Sequence, residues 1–320
     1  MSTIIFSCPG MDNLKKDIIE THFKGNKHID QKIKWDVFSD GSPNNSFENP
    51  KAIKSSNVFF IADFEDTNKA FNRLGPIYAL PHYGAKSLTV FIPYFPTATM
   101  ERVGEPGQIA TAKTLMRMLN AIPHCHGSGP ARIIIYDIHS LAVQHFHNDG
   151  IIIELQSAIP YFLKHLTTDA WPKNPKKYVF AFPDDGARKR FHTFFPDPCI
   201  ICTKDENRKV TIKEGHEFVD GNHVIIIDDM VRNGDTLLNC GKEIKHYGAS
   251  TVSAYVTHGV FPEESWKKFY SINSGKPKFK KFWFTDSCQV ARSLEHQRLQ
   301  PDLFEVISLA HLITEEIKRS

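Results

Sequence analysis

Two adjacent carboxylates and a polar turn follow an apolar run in the second half of the chain. Residues 223–227 are predicted to be a buried strand that leads directly into Asp228 and Asp229. Carboxylates accept hydrogen bonds from vicinal hydroxyls, whereas the N–H groups of a turn that opens a helix favour a phosphate. Two acids would repel ATP alone, so the pattern predicts a sugar phosphate. The residues of the predicted phosphate turn are Arg232, Asn233, Gly234, Asp235 and Thr236.

The elements that must position these residues are predicted by β-branched runs that alternate with helical patterns. Continuous apolar strands separated by helices are typical of parallel sheets covered on both faces. Asp228 and Asp229 would then lie at the carboxyl end of a parallel strand, where open α/β sheets bind their ligands. Strands are predicted at 3–6, 58–62, 88–92, 132–136, 178–182, 199–202, 223–228 and 252–257, and helices at 108–119, 235–247 and 304–320.

The series of strands restarts after about residue 150, which predicts two α/β domains of similar, doubly wound build. The first domain is predicted at 1–152, with a C-terminal helix at 304–320 packing back on it, and the second at 153–303. The second domain would carry the phosphate turn. A long polar segment at 204–220 is predicted to be a loop that could act as a lid.

Composition excludes several classes of protein. The formal charge of +3 is spread along 320 residues without a basic stripe, so no nucleic-acid partner is expected. No apolar run is long enough to cross a bilayer, and the N-terminus lacks signal-peptide features, so no membrane partner is expected. Six scattered cysteines indicate a reducing, cytoplasmic setting. Cys199 and Cys202 have redox or zinc spacing, but without a second such pair a structural role is favoured.

The strand–acid–turn segment resembles the phosphoribosyl-pyrophosphate (PRPP) binding motif of the type I phosphoribosyltransferase fold. Other segments resemble ribose-phosphate pyrophosphokinases, the synthetases of PRPP, so the likeness extends in order over nearly the whole chain. These segments are FIPYFPTATMERV (91–103), YDIHSLAVQHF (136–146), AFPDDGARKRF (181–191), YVTHGVFP (255–262), FTDS (284–287) and FEVISLAHLITEEI (304–317). The chain is therefore identified as a member of that family.

The resemblance implies that ATP and ribose 5-phosphate react to give AMP and PRPP by diphosphoryl transfer, with Mg²⁺ as cofactor. Asp228 and Asp229 would hold the 2- and 3-hydroxyls, and residues 232–236 the 5-phosphate. His139 and Asp184 would be metal-side residues, although magnesium prefers oxygen ligands to imidazole. Asp137, next to His139 on the opposite face of the strand, is not included.

The resemblance also assigns residues to the transferring group and to ATP. Lys204 would neutralise the diphosphoryl group in a closed state, with Arg208 as the accompanying arginine and Lys209 as its alternative. Residues on the ATP side would be Phe38, Asp40, Arg102 and His139. The loop at 38–41 would reach the adenine of a neighbouring subunit, which implies a homo-oligomer with a shared ATP site.

The chain departs from the common form of the family on the ATP side. Ser42 stands where Glu is common, Thr99-Met100 where Arg-Gln is common, and Glu101 where Asp is common. Together with MERV, AFPDDG and VTHGVFP, these residues resemble the plant-type, phosphate-independent subclass with loose nucleotide selectivity. Two alternatives remain at this point, a type I phosphoribosyltransferase that uses PRPP and a non-catalytic regulatory subunit associated with a synthetase.

Overall fold

The computed structural model describes residues 2–24, 29–97, 100–168, 178–195, 198–205, 209–270, 278–296 and 300–320. The chain forms two compact units, one comprising Met1–Ser157 with Leu309–Ser320 and the other Ala158–Ser308. Each unit is built around its own sheet. Within the described residues, no helix is long and apolar enough to cross a membrane.

The first unit contains a five-stranded parallel sheet in the order β1-β4-β5-β6-β7. Its strands are β1 (Thr3–Ser7), β4 (Asn57–Ile61), β5 (Ser87–Ile92), β6 (Ala131–Tyr136) and β7 (Ile151–Gln156). A separate antiparallel hairpin consists of β2 (Ile33–Val37) and β3 (Pro43–Phe47). The helices are α1 (Asp12–His22), α2 (Ala70–His82), α3 (Thr111–Asn120) and, from the end of the chain, α8 (Ala310–Arg319).

The second unit contains a seven-stranded sheet in the order β10-β9-β8-β11-β12-β13-β14. All pairs are parallel except β9 with β10, which form an antiparallel edge. The strands are β8 (Tyr178–Phe182), β9 (Cys199–Lys204), β10 (Val210–Glu214), β11 (His223–Val231), β12 (Thr251–Gly259), β13 (Phe279–Thr285) and β14 (Phe304–Ile307). The helices are α4 (Ile159–Thr168), α5 (Asp185–Phe191), α6 (Asp235–His246) and α7 (Gln289–His296).

All eight predicted strand segments form strands, because parallel strands covered on both faces are apolar throughout their length. The central strand β11 shows this pattern, since residues 223–229 are all buried. The predicted helices at 108–119 and 235–247 correspond to α3 and α6, and each differs by a few residues at its ends.

The end of the chain differs from the prediction. The single helix predicted at 304–320 is wrong in its first turn, because β14 occupies 304–307 and pairs with β13, and α8 begins only at Ala310. α8 packs beside α1 in the first unit. The first unit also extends beyond residue 152, because β7 continues to Gln156 and pairs with β6 along its whole length.

The polar segment predicted as a loop at 204–220 is largely ordered secondary structure. Lys204 is the last residue of β9, and Val210 pairs with it as the first residue of β10. The strand was missed because its exposed face carries polar residues, as is usual on the edge of a sheet. Residues 206–208, between the two strands, lie outside the described part of the chain.

Candidate active site

The acid pair lies near the carboxyl end of β11, at a point where the neighbouring strand has ended. β8 pairs with β11 only as far as Ile226, so Asp228 and Asp229 project beyond the end of β8. Asp229 is 1% exposed and Asp228 is 9% exposed. The backbone N–H of Asp229 donates to Asp228 Oδ1 at 2.9 Å, which fixes the orientation of the first carboxylate.

The electrostatic environment of Asp228 is unfavourable to its own charge. Burial, followed by the negative charges of Asp229 and Asp184, raises the pKa of Asp228 well above its usual value. Arg190 opposes this shift because its guanidinium contacts both acids. The site is therefore a pair of buried acids whose mutual repulsion Arg190 compensates only in part.

The turn that follows β11 leads into the N-terminus of α6. Gly234 has φ of +82°, and a Cβ at this position would lie 2.7 Å from the ring of Phe269, so only glycine fits without rearrangement. Asn233 Oδ1 accepts a hydrogen bond from the Asp235 N–H at 3.2 Å, and Ser265 Oγ donates to the Arg232 carbonyl at 2.6 Å. These contacts hold the turn in one shape on the surface.

Asp235 is the unusual residue of this turn, because a carboxylate beside a bound phosphate would repel it. The side chain of Asp235 is 56% exposed and its Oδ1 lies 3.1 Å from Lys268 Nζ, so the charge is directed to a lysine on the surface. Thr236 is half-buried and lies in the first turn of α6. The geometry leaves the turn compatible with an anion.

Asp184 and Lys204 are brought together in the same unit. Asp184 caps α5 by accepting a hydrogen bond from the Ala187 N–H at 3.0 Å, and Lys204 Nζ lies 3.1 Å from Asp184 Oδ2. Burial opposes ionisation of Asp184, but the Ala187 hydrogen bond and the Lys204 charge outweigh it and lower the pKa of this carboxyl. Arg208 lies outside the described residues, and Lys209, its alternative, is exposed just before β10.

Arg190, near the end of α5, is a functional candidate that the sequence did not single out. Its Nη2 contacts Asp229 Oδ1 and lies 3.5 Å from Asp228 Oδ1, and its side chain is only 13% exposed. The segment that carries it was recognised through Asp184. The available signal was a run of three basic residues, Arg188 to Arg190, within a short helix.

Phe38 and Asp40 lie at the tip of the β2–β3 hairpin in the first unit. The turn is closed by a hydrogen bond from the Phe38 N–H to the Ser42 carbonyl, and Asp40 Oδ1 accepts from the Ser42 N–H at 2.9 Å. That hydrogen bond lowers the pKa of the exposed Asp40 carboxyl. Phe38 is 55% exposed, so its ring is available for contact with another molecule.

Arg102 and His139 lie on separate segments of the first unit. Arg102 is 87% exposed and its Nε lies 3.8 Å from Glu101 Oε1. His139 is half-buried just after β6. Asp137 lies two residues before His139 and is buried. Its φ of +36° is a left-handed conformation, which costs energy in a residue other than glycine.

The described residues contain no group of three or more His, Cys, Asp or Glu side chains arranged to hold a metal ion. All six cysteines are free thiols. Cys202 does not pair with Cys199, and its Sγ lies 3.5 Å from Cys240 Sγ in the core between β9 and α6. Cys199 and Cys202 thus lie on the same strand, and the Cys202 side chain contacts α6.

The parallel sheets and the acid–turn–helix site define an α/β protein of the phosphoribosyltransferase type. A crystal structure of phosphoribosylpyrophosphate synthetase from Mycobacterium smegmatis has the same fold, with a TM-score of 0.77, 18% identity and coverage of 99% of this chain and 98% of that one. The fold class predicted from the sequence is confirmed by this match.

Sequence comparisons give the family. Residues 3–122 match the N-terminal domain of ribose phosphate pyrophosphokinase. Ribose-phosphate pyrophosphokinase 4 of Arabidopsis thaliana is 38% identical over 98% of this chain and 91% of its own length. Ribose-phosphate pyrophosphokinase 3, chloroplastic, of Oryza sativa is 39% identical over 97% of this chain and 74% of its own length. The chain belongs to the ribose-phosphate pyrophosphokinase family, and these plant relatives support the predicted subclass.

Proposed function

We propose that this protein catalyses the transfer of a diphosphoryl group from ATP to ribose 5-phosphate, giving AMP and PRPP. The observation that carries the proposal is the buried pair Asp228–Asp229 followed directly by the glycine turn at the start of α6. Acids that accept from hydroxyls and a helix N-terminus that favours phosphate are the two halves of a sugar-phosphate site. Family membership supplies the reaction.

The sugar would bind with its 2- and 3-hydroxyls donating to Asp228 and Asp229. The 5-phosphate would lie against the turn from Arg232 to Thr236, where backbone N–H groups and the α6 dipole are favourable to negative charge. Binding both ends of the ribose fixes the position of its anomeric hydroxyl, which is the nucleophile. Such positioning accounts for much of the rate enhancement in phosphoryl transfer.

The anomeric oxygen would attack the β-phosphorus of ATP, forming a new O–P bond as the bond from the β-phosphorus to the α-side oxygen breaks. The displaced oxygen remains on AMP, and the hydroxyl proton leaves with the solvent or a nearby base. Lys204 is placed beside Asp184 at the carboxyl edge of the sheet, and its ammonium group would neutralise charge on the transferring group. Arg208, or alternatively Lys209, would assist it.

On the ATP side we propose Phe38, Asp40, Arg102 and His139. The exposed Phe38 at the hairpin tip supports contact with an adenine held by a second copy of the chain, so a homo-oligomer with a shared ATP site is part of the proposal. Sedimentation of the purified protein would test this, and a monomer at working concentration would argue against the shared site. The six free thiols support a reducing compartment such as the cytoplasm.

The residues present fit Mg²⁺ in the way this ion is usually held beside nucleotides. Magnesium is commonly bound by one or two carboxylates and keeps its remaining positions for water and phosphate oxygens. Asp184 offers a carboxylate that is 37% exposed with a lowered pKa, and we propose it as the ligand, together with His139 on the metal side. When bound, the ion would neutralise the triphosphate. The ion pair between Lys204 and Asp184 would have to break before the carboxylate could bind the ion.

The test is a product analysis with ATP, ribose 5-phosphate and Mg²⁺, followed by phosphorus NMR and chromatography. Stoichiometric AMP and PRPP are expected, and replacing ribose 5-phosphate with ribose should abolish turnover because the phosphate turn is left empty. ADP as the nucleotide product would contradict diphosphoryl transfer. No product at all would favour the regulatory subunit, and consumption of PRPP with a base would favour the phosphoribosyltransferase.

A further inference from the structure

Arg190 makes the closest cationic contact to the sugar-binding acids among the described residues. Its Nη2 contacts Asp229 Oδ1 and lies 3.5 Å from Asp228 Oδ1, so one guanidinium engages both carboxylates. The three side chains are 13%, 12% and 1% exposed for Arg190, Asp228 and Asp229, respectively. Water is therefore largely excluded from this ion cluster, and its charges are only weakly screened.

Two buried carboxylates on adjacent residues repel each other, and without a cation one of them would be driven to rotate away or to bind a proton. Both contacts come from one nitrogen of Arg190, Nη2, whose N–H bonds lie in the fixed plane of the guanidinium, whereas an ammonium group acts as a point charge. The contacts of Arg190 use the Oδ1 atom of each acid. The arginine thus orients the Asp229 carboxylate and, together with the Asp229 N–H, the Asp228 carboxylate.

The helix that carries Arg190 also carries Asp184 at its N-cap. Asp184 accepts from Ala187, and the helix ends one residue after Arg190, at Phe191, which is buried in the core. The short helix α5 is consequently fixed at both ends. It connects Asp184 to the ribose-binding acids through the side chain of Arg190.

We propose that Arg190 is a positioning residue for ribose 5-phosphate, one that holds Asp228 and Asp229 in the orientation needed to accept hydrogen bonds from the sugar hydroxyls. The inference rests on the proposed function. It extends that function by assigning ribose selectivity to a residue outside the strand and turn that contact the sugar. The competing explanation is a purely structural ion pair that attaches α5 to β11.

The test compares Arg190→Gln and Arg190→Lys with the matched control Arg188→Gln, whose side chain is 41% exposed and 3.9 Å from Glu214. Ribose 5-phosphate affinity is measured by calorimetry, the KM for ATP by steady-state kinetics, and the unfolding temperature by calorimetry. Arg190→Gln should weaken ribose 5-phosphate binding by roughly 10- to 100-fold while the KM for ATP changes by less than about twofold. Arg190→Lys should recover part of the loss, and Arg188→Gln should match the wild type.

Wild-type affinity for ribose 5-phosphate in Arg190→Gln would overturn the inference. A parallel weakening of both substrates together with a lower unfolding temperature would also overturn it, because that result indicates a structural role. If Arg190→Gln does not fold, Arg190→Lys decides, since the loss of the planar guanidinium should still weaken ribose 5-phosphate binding selectively. Failure of the wild type to bind ribose 5-phosphate would refute the proposed function itself, which separates the two failures.

Discussion

Lys204 Nζ lies 3.1 Å from Asp184 Oδ2, so the two side chains neutralise each other in the structure. The proposed function gives these two residues different roles. Both side chains are about one-third exposed, which makes the pair easy to separate. Binding of a magnesium nucleotide would draw the carboxylate to the cation and release the ammonium toward phosphate. Under the proposed function, we expect this ion pair to exist in the free protein and to separate when the nucleotide binds.

Replacing Lys204 by alanine should lower kcat much more than it raises either KM, because the ammonium acts mainly on the charge of the transition state. A decrease of about 10²–10⁴ in kcat is expected for the loss of one positive charge at that point. Lys213→Ala is the matched control, since Lys213 lies on neighbouring β10 and is 48% exposed. Near-normal turnover in Lys204→Ala would transfer the role to Arg208 or Lys209.

Asp229→Asn should leave the fold intact and weaken ribose 5-phosphate binding. The change replaces a charged acceptor by a neutral amide, at a cost of about 1.5–3 kcal/mol in binding free energy. Calorimetric titration with ribose 5-phosphate measures the effect, and the exposed Asp302→Asn serves as the control. Unchanged affinity would remove Asp229 from the site.

Glu305 on β14 gives a prediction about stability in acid. A hydrogen bond from His165 at 2.6 Å and the charge of Lys281 outweigh burial and lower the pKa of Glu305 from 4.5 to about 2. Because the folded pKa is below the unfolded one, the ionised carboxylate stabilises the protein above about pH 4.5, and this contribution is lost as the pH falls toward 2.

Glu305→Gln should therefore lower the unfolding temperature at neutral pH and flatten its dependence on pH between about 4.5 and 2. Glu315→Gln, on the exposed face of α8, is the control and should keep the wild-type slope. Thermal unfolding monitored by circular dichroism across this range provides the measurement. If the unfolding temperature depends on pH in the same way in the wild type and in Glu305→Gln, the contacts of Glu305 with His165 and Lys281 do not contribute to stability in acid.

A further prediction concerns inorganic phosphate and the choice of nucleotide. Ser42 and Met100 offer fewer polar groups to a base than the Glu and Gln that are common in the family, and a pocket rejects wrong substrates strongly only when buried polar groups are left unpaired. We expect full activity without phosphate, weak inhibition by ADP, and use of GTP and CTP. Initial rates in phosphate-free buffer test this, and activity restricted to ATP with added phosphate would refute the subclass.

The sequence predicted those parts of the fold that depend on local patterns. The apolar run before Asp228 predicts a strand because both faces of a central parallel strand are buried, and Gly234 marks a turn that no other residue fits. β14 was missed because Val306 is spaced four residues from Ala310, so that a strand and the following helix share one apparent helical period.

The contact of Arg190 with the two acids could not be predicted in the same way. Arg188, Lys189 and Arg190 are consecutive in α5, and all three side chains are cationic. Which of them faces β11 depends on how the helix is rotated against the sheet. That rotation is set by the burial of Ala187 and Phe191 in the core, a tertiary effect that no local pattern contains.

The attachment of α8 to the first unit has a consequence for synthesis of the protein. Domains usually fold in the order in which they leave the ribosome. Here α8 is made after the whole of the second unit, yet Arg132 on β6 binds Glu316 on α8 at 2.7 Å, and Ile313 and Ile317 are buried there. The first unit therefore cannot complete its folding until the second unit has been translated, and until then part of its surface is not covered by α8. During that interval the apolar surface that Ile313 and Ile317 cover is exposed to water, which favours aggregation of the nascent chain.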